Sequence, residues 1–128
     1  MLIVEDERDT REMIAHALQR FGASVAQAAS ASEAHREFAK ATPNIVISDI
    51  GMPDMDGYQL LAMIQAQTSE PPPVIALTAY AGPADRERAL RSGFQAHIGK
   101  PVELSKLFQR QKRRKQTRLL QRFKAYEC

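Results

Sequence analysis

Five polar side chains stand out because each closes a short apolar run. Glu5 and Asp6 follow Leu2-Ile-Val4, Asp49 follows Ile45-Val46-Ile47, Thr78 follows Val74 to Leu77, and Lys100, with Pro101 behind it, follows Phe94 to Ile98. Three carboxylates brought together repel one another unless a cation intervenes, and ligands that are all oxygen select a hard ion. Magnesium suits such a set, because it binds through one or two carboxylates while keeping waters and contacting phosphate. A carboxylate can also attack phosphorus and become an aspartyl-phosphate. Lysine binds phosphate as a point charge, and a threonine hydroxyl can donate to a phosphate oxygen. Metal and ammonium together are the usual electrostatic arrangement for a phosphoryl group in transfer. Singly, each residue has a plainer reading. Glu5 and Asp6 could serve only a helix dipole, Asp49 could be a loop acid, Thr78 a strand end and Lys100 an exposed charge. None of the five falls on a core-facing position by period.

The elements that must carry these residues alternate between strand and helix. Leu2 to Val4 reads as a first strand. A helix bearing Met13, Ile14, Ala17, Leu18 and Phe21 follows, and Gly22 stops it. Ser24 to Ala28 is a weak second strand. Ser30 to Glu33 has the form of a capping box and opens a helix that ends near Lys40. Ile45 to Ile47 is a third strand. A helix with Leu60, Leu61 and Ile64 facing inward comes next, and Val74 to Leu77 is the fourth strand. Pro71-Pro72-Pro73 must be a connector, since proline cannot lie inside a helix. Pro83 suits the first turn of a fourth helix and Gly93 its end. Phe94 to Ile98 is a fifth strand, and Val102 onward is helical with Leu104, Leu107 and Phe108 apolar. Asp54 and Asp56 read as loop and cap residues, in a segment that lacks the spacing of an EF-hand calcium loop. His16 and His35 read as surface or packing residues, and Met13 and Met63 as core. Five strand–helix units imply an α/β fold, a doubly wound five-stranded parallel sheet covered on both faces. Its ligand site is expected outside the carboxyl ends of the strands, where the five polar residues stand.

Composition narrows the class. The chain has 128 residues, 44% hydrophobic and 26% charged, with one cysteine. Those values suit one globular domain and exclude a disulfide scaffold. No apolar run approaches the roughly 18 residues of a membrane span, the first residues lack the basic start of a signal peptide, and the lone Cys128 suits a reducing cytoplasm. The net charge of +3 averages two unlike parts. Residues 1–104 hold 9 Lys+Arg against 14 Asp+Glu, a net −5, whereas residues 105–128 hold 9 against 1, a net +8. The expected organisation is a domain over 1–108 and a basic helical extension over 109–128. Past Phe108 the inward positions become Gln111, Arg114 and Lys115, and Leu119, Leu120, Phe123 and Tyr126 form a second apolar set.

The residues at the strand ends, with the loop Met52-Pro-Asp-Met-Asp-Gly57 and the segments Leu77-Thr78-Ala79 and Lys100-Pro101, resemble the receiver domain of a two-component response regulator. The resemblance runs from residue 1 to about 108. It implies a flavodoxin-like (βα)5 fold with strand order 2-1-3-4-5. It implies that Asp49 is the phosphoacceptor, that Asp6 binds Mg²⁺ directly and Glu5 through water, and that the Gly51 carbonyl completes the protein ligands. Thr78 would bind a phosphoryl oxygen, Lys100 would pair with the phosphoryl group, and His97 falls at the family's switch position. Ala79, Tyr80 and Pro101 would flank the site. The implied donor is a sensor histidine kinase or a histidine phosphotransfer protein, and the implied output surface combines the fourth helix, fifth strand and last helix. Such a domain modifies only itself, so no enzyme in the ordinary sense is expected. No membrane contact is expected either; a homodimer through the last helices is open. A stand-alone receiver and one belonging to a hybrid histidine kinase are the two architectures considered, and residues 77–80 and 93–101 resemble the hybrid-kinase form. An alternative is a binding module of the same fold whose tail, residues 110–124, binds nucleic acid or an acidic partner. A phosphatase of related topology would need an acid two residues after Asp49, where Gly51 stands.

Overall fold

The computed structural model describes residues 1–52, 55–79 and 82–100. The elements are β1 (Leu2–Val4), α1 (Arg8–Gln19), β2 (Ala26–Ala28), α2 (Ala31–Lys40), β3 (Val46–Asp49), α3 (Gly57–Gln67), β4 (Val74–Thr78), α4 (Pro83–Ser92) and β5 (Ala96–Gly99). All strand pairs are parallel and the order is β2-β1-β3-β4-β5. The expected last helix, the Lys100–Pro101 bond, Tyr80 and the basic extension lie outside the described residues.

The central strands are apolar along their length because both faces are covered. Leu2, Val4, Val46, Val74 and Ala76 pack on one face with Ala34 and Phe38 of α2, Leu60, Leu61 and Ile64 of α3 and Ala89 of α4. Ile3, Ile47, Ile75, Leu77 and Ile98 face the other way and meet Ile14 and Leu18 of α1. The alternation along each strand divides the sheet between the two cores.

Local signals place most helix ends. Asp56 caps α3 and exchanges hydrogen bonds with Gln59, each backbone N–H donating to the other's side chain at 2.9 Å. At α2 the box is offset. The Glu33 N–H donates to Ser30 Oγ at 3.2 Å, but the Glu33 carboxylate accepts from Ala29, one residue before the cap. Pro83 occupies the first turn of α4, and Gly93 ends it at φ 115°, a left-handed conformation that glycine adopts without strain. Phe94 then packs edge-on against Tyr58, with ring centroids 5.6 Å apart, and the Arg88 guanidinium lies over the Tyr58 ring, 4.3 Å from its centroid. This stack fastens α4 to α3, since Ala89 is the one α4 residue that is fully buried.

Several expectations need correction. β5 begins at Ala96, where its pairing with β4 starts, rather than at Phe94. β2 begins at Ala26, because Ser24 and Val25 lead into the sheet before pairing starts. β3 and β4 run on to include Asp49 and Thr78, which are therefore the last residues of their strands. Met13 is 38% exposed. It precedes Ile14 and so lies about 100° round the helix from it, just outside the edge of the stripe that Ile14, Ala15, Ala17 and Leu18 bury. Lastly, Glu5, Asp49 and Thr78 are buried rather than standing clear of the core, because neighbouring strands and the loops above them close over a central strand end. Leu60, Leu61 and Ile64 are buried as expected, and Met63 is half-buried.

Gly57 sits directly against the backbone at the end of β3. A Cβ there would lie 2.7 Å from both the Asp49 carbonyl oxygen and the Ile50 Cα, while a Cβ on Gly51 would meet nothing within 4 Å. Gly57→Ala is expected to destabilise the protein by about 1–3 kcal/mol, the usual range for overpacking, and Gly51→Ala to stay within about 0.5 kcal/mol of wild type. Urea unfolding of the two variants checks this contrast; equal midpoints would contradict it.

Candidate functional site

The strand order reverses between β1 and β3, which creates a crevice at their carboxyl ends. Glu5 and Asp6 leave β1, Asp49 ends β3, Thr78 ends β4 and Lys100 follows β5. Together with Glu7, Ile50, Gly51 and Ala79 they line one cleft of about 380 Å³. The parallel register explains the convergence. Asp49 pairs with Leu77 and Thr78 with Gly99, so that the Ile50 N–H donates to the Leu77 carbonyl at 3.0 Å and the Lys100 N–H to the Thr78 carbonyl at 2.7 Å.

Lys100 is the hub of the side-chain contacts. Its Nζ lies 2.5 Å from Glu5 Oε1 and 3.1 Å from Asp49 Oδ2. The second oxygen of each acid is held by backbone: Glu5 Oε2 accepts the Glu7 N–H at 3.0 Å, and Asp49 Oδ1 accepts the Gly51 N–H at 3.1 Å. Glu5 is entirely buried, Asp49 nearly so, and Asp6 is exposed at the mouth. One carboxylate oxygen from each of the three acids lies within 4.8 Å of the others.

Burial is the largest influence on Glu5 and pushes its carboxyl up to about 7, against the opposing pull of Lys100 and the Glu7 N–H. Asp6 goes the other way: a hydrogen bond with the Glu5 carboxyl holds it below its ordinary value. The two neighbouring acids are thus pushed in opposite directions, Glu5 upward by burial and Asp6 downward by its hydrogen bond with Glu5. Burial alone would lower Lys100, but the Glu5 and Asp49 carboxylates outweigh it and raise its pKa.

The donor set fits a hard divalent cation. It offers oxygen only, it concentrates negative charge that one ammonium does not neutralise, and the cleft has room for the waters such an ion keeps. His97 lies inside β5, buried, opposite Ala76. It does not line the cleft, but the pleat puts its side chain on the same face of the sheet as that of Thr78, the face that α4 covers. Tyr80 and Pro101 lie outside the described residues. Sequence reasoning missed two contributors: Glu7 and Arg11, whose Nη1 donates to the Glu5 carbonyl at 2.9 Å. A cation in the first turn of a helix was a readable signal for the last. His16 is exposed, and so is His35, whose Nδ1 lies 2.8 Å from Gln67 Nε2 and ties α2 to α3.

A parallel 2-1-3-4-5 sheet with an acidic pocket at its switch point belongs to the flavodoxin-like class of doubly wound folds. The model of the response regulator receiver domain family matches residues 1–112, and the chain belongs to that family. It is 41% identical over 104 residues to a 14.6 kDa protein encoded in the sodA1 3′ region of Leptolyngbya boryana, covering 80% of this chain and 79% of that one. It is 35% identical over 109 residues to the sensor histidine kinase RcsC of Salmonella typhi, covering 85% of this chain but only 11% of the kinase. Among solved structures, the chemotaxis response regulator CheY4 of Vibrio cholerae aligns at a TM-score of 0.76 and 30% identity, covering 88% of this chain and 94% of that one. The receiver domain of NtrX from Brucella abortus does so at 0.76 and 29%, with the same coverage. No helix among the described residues is long and apolar enough to cross a membrane.

The raised Glu5 pKa fixes the sign of a pH effect. A carboxyl that titrates at about 7 when folded and near 4.5 when unfolded contributes most to stability below 4.5, and the contribution is lost as the pH rises through 7. Without divalent cations, the wild type is therefore expected to lose stability relative to Glu5→Gln between about pH 5 and 8. Magnesium is expected to lower the Glu5 titration, because a bound cation favours the ionised form. Carboxyl-carbon NMR titration and urea unfolding across that range read both effects; a Glu5 midpoint near 4.5 without metal would overturn them.

Proposed function

We propose that Asp49 accepts a phosphoryl group from a phosphohistidine and that the resulting charge switches the face of the domain carrying α4 and β5. The observation that carries this reading is the Asp49 carboxylate at the base of the cleft, paired with Lys100 at 3.1 Å and within reach of two further acids. An Asp49 oxygen attacks phosphorus, the P–N bond to the donor imidazole breaks, and its electron pair returns to the ring nitrogen. Asp6 and Asp49, with Glu5 acting through water and the Gly51 carbonyl, would hold Mg²⁺, which supplies neutralisation of the equatorial phosphoryl charge when bound. Lys100 is already beside the acceptor oxygen and balances the charge that arrives. The Thr78 hydroxyl, at the end of β4, serves as donor to a phosphoryl oxygen. His97 shares the Thr78 face of the sheet, which supports the reading that it would respond to a movement of Thr78. The group is transferred to the protein's own side chain and later lost to water, so the chain acts as a switch and not as a turnover catalyst.

The donor would be a sensor histidine kinase or a histidine phosphotransfer protein, and the likeness to the kinase RcsC supports that chemistry. A cytoplasmic setting follows from such a donor. We take residues 1–108 as the switch and 109–128 as its basic extension. The reading in which residues 110–124 bind nucleic acid rests on charge composition alone.

Intact mass after incubation with Mg²⁺ and acetyl phosphate is expected to rise by one phosphoryl group in wild type, and not in Asp49→Asn or with chelator present. A folded wild type that gains nothing would overturn the reading. Gly51 opens on free space next to the acceptor, so a larger polar side chain there reaches the path of attacking water. Gly51→Gln is expected to change the aspartyl-phosphate lifetime several-fold, on the scale of a single positioned polar group; equal lifetimes would refute that role.

A further inference from the structure

We propose that Arg11 is a positioning residue of the cation site: it holds the backbone from which the Glu5 and Asp6 carboxylates project, and so keeps them in register with Asp49. The proposal rests on the reading of those three acids as that site. Arg11 is half-buried on α1, and its Nη1 donates to the Glu5 carbonyl at 2.9 Å. That carbonyl marks the point where the chain leaves the sheet for the helix, in a residue that is completely buried. A buried carbonyl requires a partner. The Glu5 N–H already donates to Ala28 of β2 at 3.0 Å, and its carboxylate already accepts the Glu7 N–H at 3.0 Å. The Arg11 bond fixes the peptide plane between Glu5 and Asp6, and with it the direction in which Asp6 departs.

The geometry of the helix makes this reach natural. Helical side chains lean toward the N-terminus, so a residue one turn into α1 covers the turn before it. A cation near a helix N-terminus works against the dipole, so the helix itself gains nothing from arginine here. The placement makes sense through the contact with Glu5.

Two roles for Arg11 give opposite signs. If its charge alone mattered, removing a cation next to three carboxylates would tighten Mg²⁺ binding. If it positions the turn, removing it loosens Asp6 and weakens binding. Magnesium chloride titrated calorimetrically into the full chain, with no phosphodonor, separates them. Arg11→Met is expected to weaken Mg²⁺ about tenfold, the low end for loss of a group that orients metal ligands. Arg11→Lys, which keeps a donor and the charge, is expected to recover most of that loss. The Asp6 and Glu7 amide resonances are expected to shift in metal-free Arg11→Met. Unchanged or tighter binding in Arg11→Met, with wild type binding normally, overturns the role of Arg11 and leaves the cation site standing. A wild type that does not bind Mg²⁺ overturns both. Should Arg11→Met not fold, Arg11→Gln carries the comparison: affinity falling from Arg to Lys to Gln supports the role, and Gln tighter than Arg refutes it.

Discussion

Three carboxylate oxygens within 4.8 Å of one another cannot all carry full charge in a largely buried place without a cation among them. Much of the local structure answers that constraint. Lys100 reaches Glu5 and Asp49 from β5. The Glu7 and Gly51 amides turn toward the remaining oxygens. Burial displaces Glu5 toward its neutral form, and Asp6, at the open mouth, keeps its charge. The same oxygens that Lys100 holds are the ones a divalent ion would use.

The sheet makes that concentration of charge affordable in structural terms. Its three central strands are apolar on both faces and packed between α1 on one side and α2, α3 and α4 on the other. The polar residues are confined to the carboxyl edge, where the chain turns into loops that supply backbone donors. Gly57 lets the start of α3 press against the Asp49 and Ile50 backbone, and its N–H donates to the Ile50 carbonyl at 2.8 Å. The end of β3 and the start of α3 are therefore closely joined at Gly57. α4 is attached more lightly, through Ala89 and the Tyr58 stack, on the face shared by Thr78 and His97. Among the described helices it is the one with the fewest buried residues, and sparse burial goes with low local stability.

Much of this was legible in the residues. The apolar runs at Ile45 to Ile47 and Val74 to Leu77 marked buried strands, and Pro83 and Gly93 marked both ends of α4. Ser30 and Asp56 were readable as caps, although the partner of the Glu33 carboxylate shifted by one residue, because Ala29 rather than Ser30 presents its amide there. Met13 misled because its spacing from Ala17 suits a helix face, yet the buried stripe of α1 begins at Ala17 and runs toward Ile14, Leu18 and Ala15, which leaves Met13 outside its edge. The strands reached one or two residues further than their apolar runs, since pairing depends on backbone partners and continues through Ser48, Asp49 and Thr78.

By itself the sequence determined the alternation of strand and helix, the polar residues at strand ends and the chemistry open to them, because these follow from residue type and period. Only the tertiary structure decided that Glu5 is buried and shares Lys100 with Asp49, that Arg11 reaches back to the Glu5 carbonyl, and that Thr78 and His97 share a face. Those facts depend on strand order, on register and on what closes over each strand end. They are relations between residues up to 95 positions apart in the chain, as Glu5 and Lys100 are, and no local pattern encodes them.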